Sequence, residues 1–290
     1  MTEPTGLRQY AQVFDRVAAD YDAYRPGYPD AIVDTALQRG GLAAGARVLE
    51  VGCGTGKLTE LLAARGLEID AIDPGAAMIA AARKRVGDDA NVRFHEGRFE
   101  DVALPENAYD AVFSATAFHW VEPEVGWAKV AAHLRDGGLL ALLVYAGISH
   151  EGSADVDREF RAVLETFVPE LVEDWPDMRD LDSLLRDARA AQANVSAVWD
   201  SIMFEGIHGL TVEAAAALFD DVEIDHELTY SDWTADALIE LHRTTSTHAR
   251  IPEELRPTVE TADREVVARH GGSVRWWSAN ALVTARRVPR

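Results

Sequence analysis

The sequence predicts an α/β fold, a doubly wound and mostly parallel seven-stranded sheet with an inserted helical lid. Three observations carry that prediction. Short apolar runs alternate with helical patterns through the first half of the chain, the signature of a parallel sheet covered on both faces. Glycines follow the helical stretches. Strand patterning then returns twice near the end, after a long helical interruption.

Taken in order, the strand candidates are Arg47–Val51, Glu68–Ile72, Val92–His95, Tyr109–Ser114 and Leu139–Tyr145. Helical stretches Lys57–Arg65, Ala76–Val86 and Glu124–Leu134 lie between them, with Gly66, Gly87 and Gly137-Gly138 where helix C-terminal glycines belong. Right-handed crossovers make this arrangement doubly wound. Ahead of it, Tyr10–Tyr24 reads as an aromatic-rich helix broken by Arg25-Pro26-Gly27-Tyr28-Pro29. Beyond Tyr145, Val156, Phe160, Val163, Leu164 and Phe167 repeat at helical spacing, as do Leu181, Leu184, Leu185, Ala188, Val195 and Trp199. Strands return at Val222–Tyr230 and Ser273–Val288, an antiparallel edge pair, with helices at 234–248 and 257–269. The expected division is a helical cap over 1–40, a ligand-binding core over 41–148, a helical insertion over 149–205 and the rest of the sheet over 206–290.

Composition narrows the function. Among 290 residues, 28 Lys and Arg stand against 49 Asp and Glu, a formal net charge of −21. That balance disfavours nucleic acid, whose phosphates need clustered cations, and disfavours anionic membranes. The acidic runs, such as Asp220-Asp221, are expected to face water. Cys53 is the one cysteine, which excludes an internal disulfide framework and a cysteine-based zinc site. The other histidines besides His119 show no metal-like spacing. The start lacks a charged region followed by an apolar one, and the longest apolar run, Leu139 to Ala146, is too short to span a bilayer. A cytoplasmic protein is the expectation.

The strongest constellation is Val48-Leu49-Glu50-Val51-Gly52-Cys53-Gly54-Thr55-Gly56, a strand running into a glycine-rich turn before a helix. Such a turn lets a ligand lie against main-chain atoms, at the carboxyl edge where open α/β sheets bind ligands. A dinucleotide fingerprint wants its third glycine five positions after the first, where this chain has Lys57. A P-loop wants four residues before Gly-Lys and then Ser or Thr, but three residues separate Gly52 from Gly56, and Leu58 follows Lys57. Both phosphate readings fail. Asp73 lies 21 residues after Gly52, near the offset at which an acid reaches a ribose hydroxyl. It also suits a helix N-cap, with Pro74 as first helical residue. Glu50 is either a ligand contact or a solvated strand end, and Cys53 a small spacer.

Leu49 to Gly56 together with Ala71-Ile72-Asp73-Pro74 is similar to the class I S-adenosylmethionine-dependent methyltransferases. The likeness continues through Gly97-Arg98-Phe99-Glu100-Asp101, Tyr109-Asp110-Ala111-Val112 and Leu134-Arg135-Asp136-Gly137-Gly138, covering residues 10–146. Phe14-Asp15, Tyr21, Tyr24 to Pro29, and Ala117-Phe118-His119-Trp120 resemble a bacterial small-molecule branch, like the trans-aconitate-type enzymes. The resemblance implies that Gly52, Gly54 and Gly56 cradle the methionine part of the cofactor, with Glu50 near its amino group and Asp73 on the ribose. It implies further cofactor contacts at Tyr24, Arg25, Pro74, Met78, Phe99 and Thr116. Where the family places Asp after the glycine of the third strand's turn, this chain has Arg98, so Glu100 or a backbone carbonyl is expected to take the adenine amino group.

A sulfonium donor needs an acceptor atom brought close and in line, water excluded, and aromatic faces about the cation. Tyr21, Tyr24, Phe118 and Trp120 are candidates for that enclosure, and ordinary core packing accounts for them equally. His119, after the fourth strand, is the candidate base. Arg25 either binds the cofactor carboxylate or braces the proline-rich turn. The 149–205 insertion is read as a lid whose Phe160, Phe167, Trp175 and Trp199 line an apolar acceptor pocket. The expected activity is methyl transfer from S-adenosylmethionine to a small molecule. The rivals are a non-catalytic binder of that cofactor, an NAD-type oxidoreductase, which the glycine spacing disfavours, and a macromolecular methyltransferase. No Asn-Pro-Pro-aromatic motif follows the fourth strand, which lowers the odds of base N-methylation. The aromatic N-terminal helix offers a face for a homo-oligomer.

Overall fold

Seven strands pair into one sheet. They are β1 (Arg47–Val51), β2 (Glu68–Asp73), β3 (Val92–Glu96), β4 (Tyr109–Ala115), β5 (Leu134–Ile148), β6 (Phe219–Thr234) and β7 (Ser273–Arg287). Their spatial order is β3-β2-β1-β4-β5-β7-β6. β1 to β5 are parallel, and β7 runs antiparallel to both β5 and β6. The late antiparallel pair expected from the sequence is therefore present, with β7 inside and β6 at the edge. The computed structural model describes Asp15 and residues 17–172, 178–203 and 209–289.

Alternation along the central strands separates two cores. Leu49, Val51, Val112, Leu140 and Leu142 face one side, and Val48, Ala111, Phe113, Leu139 and Ala141 face the other. The second side is covered by α2 (Asp30–Gly40), α3 (Lys57–Ala63) and α4 (Ala76–Val86), through Val33, Leu62 and Ile79. The first is covered by α5 (Pro123–His133), α8 (Leu181–Ala190) and α9 (Val195–Ile202), through Trp127, Leu185 and Trp199. A third cluster lies apart from both. There α6 (Ala154–Phe167) and α7 (Pro169–Val172) pack on α11 (Ala235–Arg243) and α13 (Arg256–Arg269) through Val156, Phe160, Leu238 and Val266. The short α10 (Ala215–Leu218) leads into β6, and α12 (Ser246–Arg250) links α11 to α13. The stretch 149–205 thus divides: α6 and α7 join the C-terminal helices, while α8 and α9 pack on the sheet.

Several boundaries differ from the sequence reading for local reasons. The helix expected over 234–248 breaks at Thr244 and Thr245, where Thr245 caps α12 by accepting the His248 N–H. Gly137 and Gly138 fall inside β5, whose helical predecessor ends at His133. The helix over Asp30–Gly40 was not resolved as a separate element in the sequence pattern. Of the aromatic helix over Tyr10–Tyr24, the described part is α1 (Ala18–Tyr24), and Tyr10 to Phe14 lie outside the described residues.

α1 is tied down across the chain. Arg85 donates to Asp22 Oδ1 at 2.5 Å, and Lys57 Nζ donates to the Asp22 carbonyl at 2.8 Å. Asp15 Oδ1 accepts the Ala77 N–H at 2.7 Å, taking an orphan donor of the first turn of α4. α1 packs against both α4 and α11. It therefore bridges the glycine turn to the C-terminal helices.

Candidate active site

The topology puts the functional edge where β1 and β4 lie side by side and their following segments diverge, the switch point of an open sheet. The three glycines of the turn after β1 do different work there. All have positive φ: +73° at Gly52, +53° at Gly54 and +83° at Gly56. A Cβ on Gly52 would lie 2.3 Å from the Ala117 Cβ, and one on Gly56 would lie 2.9 Å from the Ala82 Cα. These two close the turn against its neighbours. A Cβ on Gly54 would meet nothing within 4 Å. Gly54 alone of the three borders open space, so the cradle expected of all three narrows to its middle residue.

Two acids stand behind that space. Glu50 is 1% exposed, so it is not a solvated strand end, and its Oε2 makes no hydrogen bond. Burial pushes its carboxyl up to about 8, an effect that the nearby Thr59 hydroxyl offsets and the Asp73 charge reinforces. Asp73 is 9% exposed and accepts N–H groups from Gly54 at 2.9 Å and Gly75 at 2.8 Å. Burial raises its carboxyl too, against those two backbone donors. Asp73 is not the N-cap of α4. Gly75 is, because Pro74 and Gly75 turn the chain before the helix begins at Ala76. No Lys or Arg forms an ion pair with Glu50 or Asp73 among the described residues. Cys53 is buried, its thiol raised by burial and by the two acids, which fits a spacer.

Around these acids the structure gathers some of the expected residues and disperses others. Pro74 follows Asp73, and Met78 is buried on α4. Thr116 has φ +51°, unusual for a non-glycine residue, and its hydroxyl pairs with the Tyr28 hydroxyl at 2.9 Å. Burial raises the Tyr28 and Tyr21 hydroxyls. The charge of Glu50 acts on Tyr28, and those of Arg25 and Asp73 on Tyr21. Phe99 is buried beneath Lys129, whose Nζ lies 5.3 Å from the ring centroid. Glu100 Oε1 accepts both Arg98 Nη2 and the Glu122 N–H at 2.9 Å, so one oxygen of the expected adenine acceptor is already committed.

Other residues go elsewhere. Phe118 packs edge-on to Trp127 in the core, and Trp199 is wholly buried on α9. Tyr24 packs into the third cluster. Trp175 lies outside the described residues. His119 is 5% exposed in a 3-10 turn (Phe118–Trp120), its ring centroid 4.9 Å from that of Trp120. Arg25 donates Nε to Thr244 Oγ1 at 2.9 Å and Nη2 to the Thr244 carbonyl at 3.2 Å, and it lies over the Tyr21 ring. It braces the turn to α11 and not merely to its own segment.

Arg25 also opens onto a cavity of about 340 Å³ that the sequence did not reveal. Tyr145 of β5 and Trp276 of β7 form its floor, Phe160 and Leu164 of α6 one wall, and His242 and Asp263 another. Of the expected acceptor-pocket aromatics among the described residues, Phe160 lines this cavity, whereas Phe167 and Trp199 do not. A second, shallower hollow lies around Gly41 to Ala46 and Asp136, at the opposite end of the strands from the glycine turn.

Comparison with known proteins bears on the family and the fold. Residues 48–138 match the family model described as a methyltransferase domain. An uncharacterized methyltransferase of Mycobacterium tuberculosis is 38% identical over 136 residues, 47% of this chain and 53% of that one. The chain thus spans about half the length of that relative. An uncharacterized methyltransferase of Anoxybacillus flavithermus is 30% identical over 158 residues, 50% of this chain and 71% of that one. In fold, the chain is similar to phosphoethanolamine N-methyltransferase 2 of Haemonchus contortus, solved with S-adenosylhomocysteine. The TM-score is 0.51 at 14% identity, covering 100% of this chain and 62% of the other. With the sheet order, the glycine turn and these relatives together, the chain belongs to the class I S-adenosylmethionine-dependent methyltransferase family.

Proposed function

We propose that this protein transfers a methyl group from S-adenosylmethionine to a small molecule held in the cavity beside Arg25. One observation carries the reading: two buried carboxylates stand at an open glycine position with no cation paired to them among the described residues. Buried charge left without a partner is costly. A ligand with a positive centre offsets that cost, whereas a pyrophosphate would add to it. The residues therefore fit the cofactor of the family and not a dinucleotide. Glu50 Oε2 supplies the orphan acceptor for an ammonium group, the open side of Gly54 the close approach, and Asp73 an acid for ribose hydroxyls.

When bound, the cofactor supplies an activated methyl group on a sulfonium. The chain's own residues bind, orient and exclude water. Tyr21 and Tyr28, both half-buried, supply aromatic rings near the two acids for a cationic ligand. Phe160, Leu164, Met178 and Trp276 give the cavity an apolar lining, as small-molecule sites have. At about 340 Å³ the cavity admits a metabolite-sized acceptor and no folded macromolecule, consistent with the net charge of −21. No helix among the described residues is long and apolar enough to cross a membrane.

The test is a screen of metabolite fractions with S-adenosylmethionine carrying a tritiated methyl group. Labelled product in a small-molecule fraction is the expected result. S-adenosylhomocysteine binding without transfer to any fraction would instead favour a non-catalytic binder.

A further inference from the structure

Two histidines line the cavity with a carboxylate behind each, and the two pairs are not equivalent. His248 Nε2 stands 3.3 Å from Glu260 Oε1, but Glu260 already receives two hydrogen bonds from Arg243, at 2.8 and 2.7 Å. Its charge is spent on a guanidinium. His242 Nδ1 stands 3.4 Å from Asp263 Oδ2, within ion-pair reach. Asp263 is 7% exposed, and among the described residues His242 is its only cationic partner. A carboxylate buried in that way favours a proton on the imidazole nitrogen facing it, and steadies a second proton on the far nitrogen.

The surroundings suit proton transfer. The His242 ring is edge-on to Phe160, centroids 6.0 Å apart, and to Trp276 at 6.3 Å, which limits its rotation. No hydrogen bond to its Nε2 forms among the described residues. Thr244, two residues on, is the anchor of Arg25, and Arg25 lies over Tyr21, whose hydroxyl feels the Asp73 charge. The histidine is thereby linked to the glycine-turn side of the molecule. His119 is enclosed in its turn and does not line the cavity.

Resting on the methyl-transfer reading above, we propose that His242, oriented by Asp263, takes the proton from the acceptor. The acceptor is then a partly apolar molecule whose methyl-receiving atom is a hydroxyl oxygen or an amine nitrogen bearing a proton. The acceptor's lone pair forms the bond to the methyl carbon while the carbon–sulfur pair leaves with sulfur, which becomes a neutral thioether. The acceptor's proton moves to His242 Nε2, and the imidazolium is balanced by Asp263. His242 is the catalytic residue in this scheme and Asp263 a positioning residue.

Two readouts test it. The first needs no acceptor: nitrogen-15 NMR of the histidine side chains in protein loaded with S-adenosylhomocysteine. The expected signal for His242 is a proton on Nδ1 with Nε2 bare, converting to the other tautomer or a mixture in Asp263→Asn. A proton on Nε2 with Nδ1 bare in the unsubstituted protein would overturn the proposal. The second is label transfer into the productive fraction of the screen. His242→Asn should slow it by roughly 10²- to 10⁴-fold while leaving S-adenosylhomocysteine affinity unchanged. An undiminished rate in His242→Asn with intact binding would remove the histidine and leave the function standing. Loss of S-adenosylhomocysteine binding by the unsubstituted protein would instead remove the function.

Discussion

Glu50→Gln is expected to make the ligand-free protein more stable at pH 8 and, at the same time, a poorer binder of S-adenosylhomocysteine. Glu50 has its folded-state carboxyl raised from the ordinary 4.5 to about 8 by burial. The folded protein therefore holds a proton that the unfolded chain gives up, and stability falls as pH rises from about 4.5 to about 8, then levels off. A shift of that size corresponds to roughly 5 kcal/mol, since each unit is worth about 1.4 kcal/mol. Glutamine does not ionise, so the variant escapes the loss. Its melting temperature at pH 8 should exceed that of the unsubstituted protein by at least about 5 °C, with the two converging near pH 4.5. Removing one charged hydrogen-bonding partner should meanwhile weaken S-adenosylhomocysteine by roughly 10- to 100-fold. Melting curves across the pH range, read beside calorimetric affinities, check both halves. Equal pH dependence in the two proteins would mean that Glu50 ionises normally and that the cradle lacks its buried acid.

The second large effect separates the three glycines. Gly54→Ala should cost about 1–2 kcal/mol of stability, the usual penalty for a side chain in left-handed backbone, because its Cβ would meet nothing within 4 Å. The same methyl group would project into the open cradle and abolish measurable S-adenosylhomocysteine binding. Gly52→Ala and Gly56→Ala should behave the other way round. Each pays the backbone penalty and also collides with a fixed neighbour, Ala117 Cβ at 2.3 Å or the Ala82 backbone at 2.9 Å. Losses of more than about 3 kcal/mol, seen as a lowered midpoint in urea, are expected from overpacking of that kind. Gly54→Ala protein that folds and still binds normally would show that the ligand approaches elsewhere.

What the sequence made legible was what depends on local periodicity. β1 falls at Arg47–Val51 and α4 at Ala76–Val86, as their apolar spacing and flanking glycines indicate. The glycine turn was readable for the same reason, since strand, turn and helix are consecutive. Residues whose role depends on distant partners were not. Asp15 caps a helix 62 residues away, and nothing in its neighbourhood signals that. Trp199 and Phe160 have the same apolar helical spacing, yet one fills the core and the other lines a cavity. Which face meets which neighbour is decided by packing between α6, α9 and the sheet. His242 and Asp263 escaped notice because they sit on separate helices that only the third hydrophobic cluster brings together. Glu50 was ambiguous because a strand end can be wet or dry, and only the covering helices α2 and α3 make it dry.

Titration calorimetry of the protein with S-adenosylhomocysteine and, separately, with NAD at neutral pH tests the central claim most directly. The buried, cation-free pair of acids at Gly54 calls for saturable one-site heat with the first ligand, abolished in Gly54→Ala, and no heat with the second at millimolar concentration. Saturable binding of NAD, or silence with S-adenosylhomocysteine, would contradict the account.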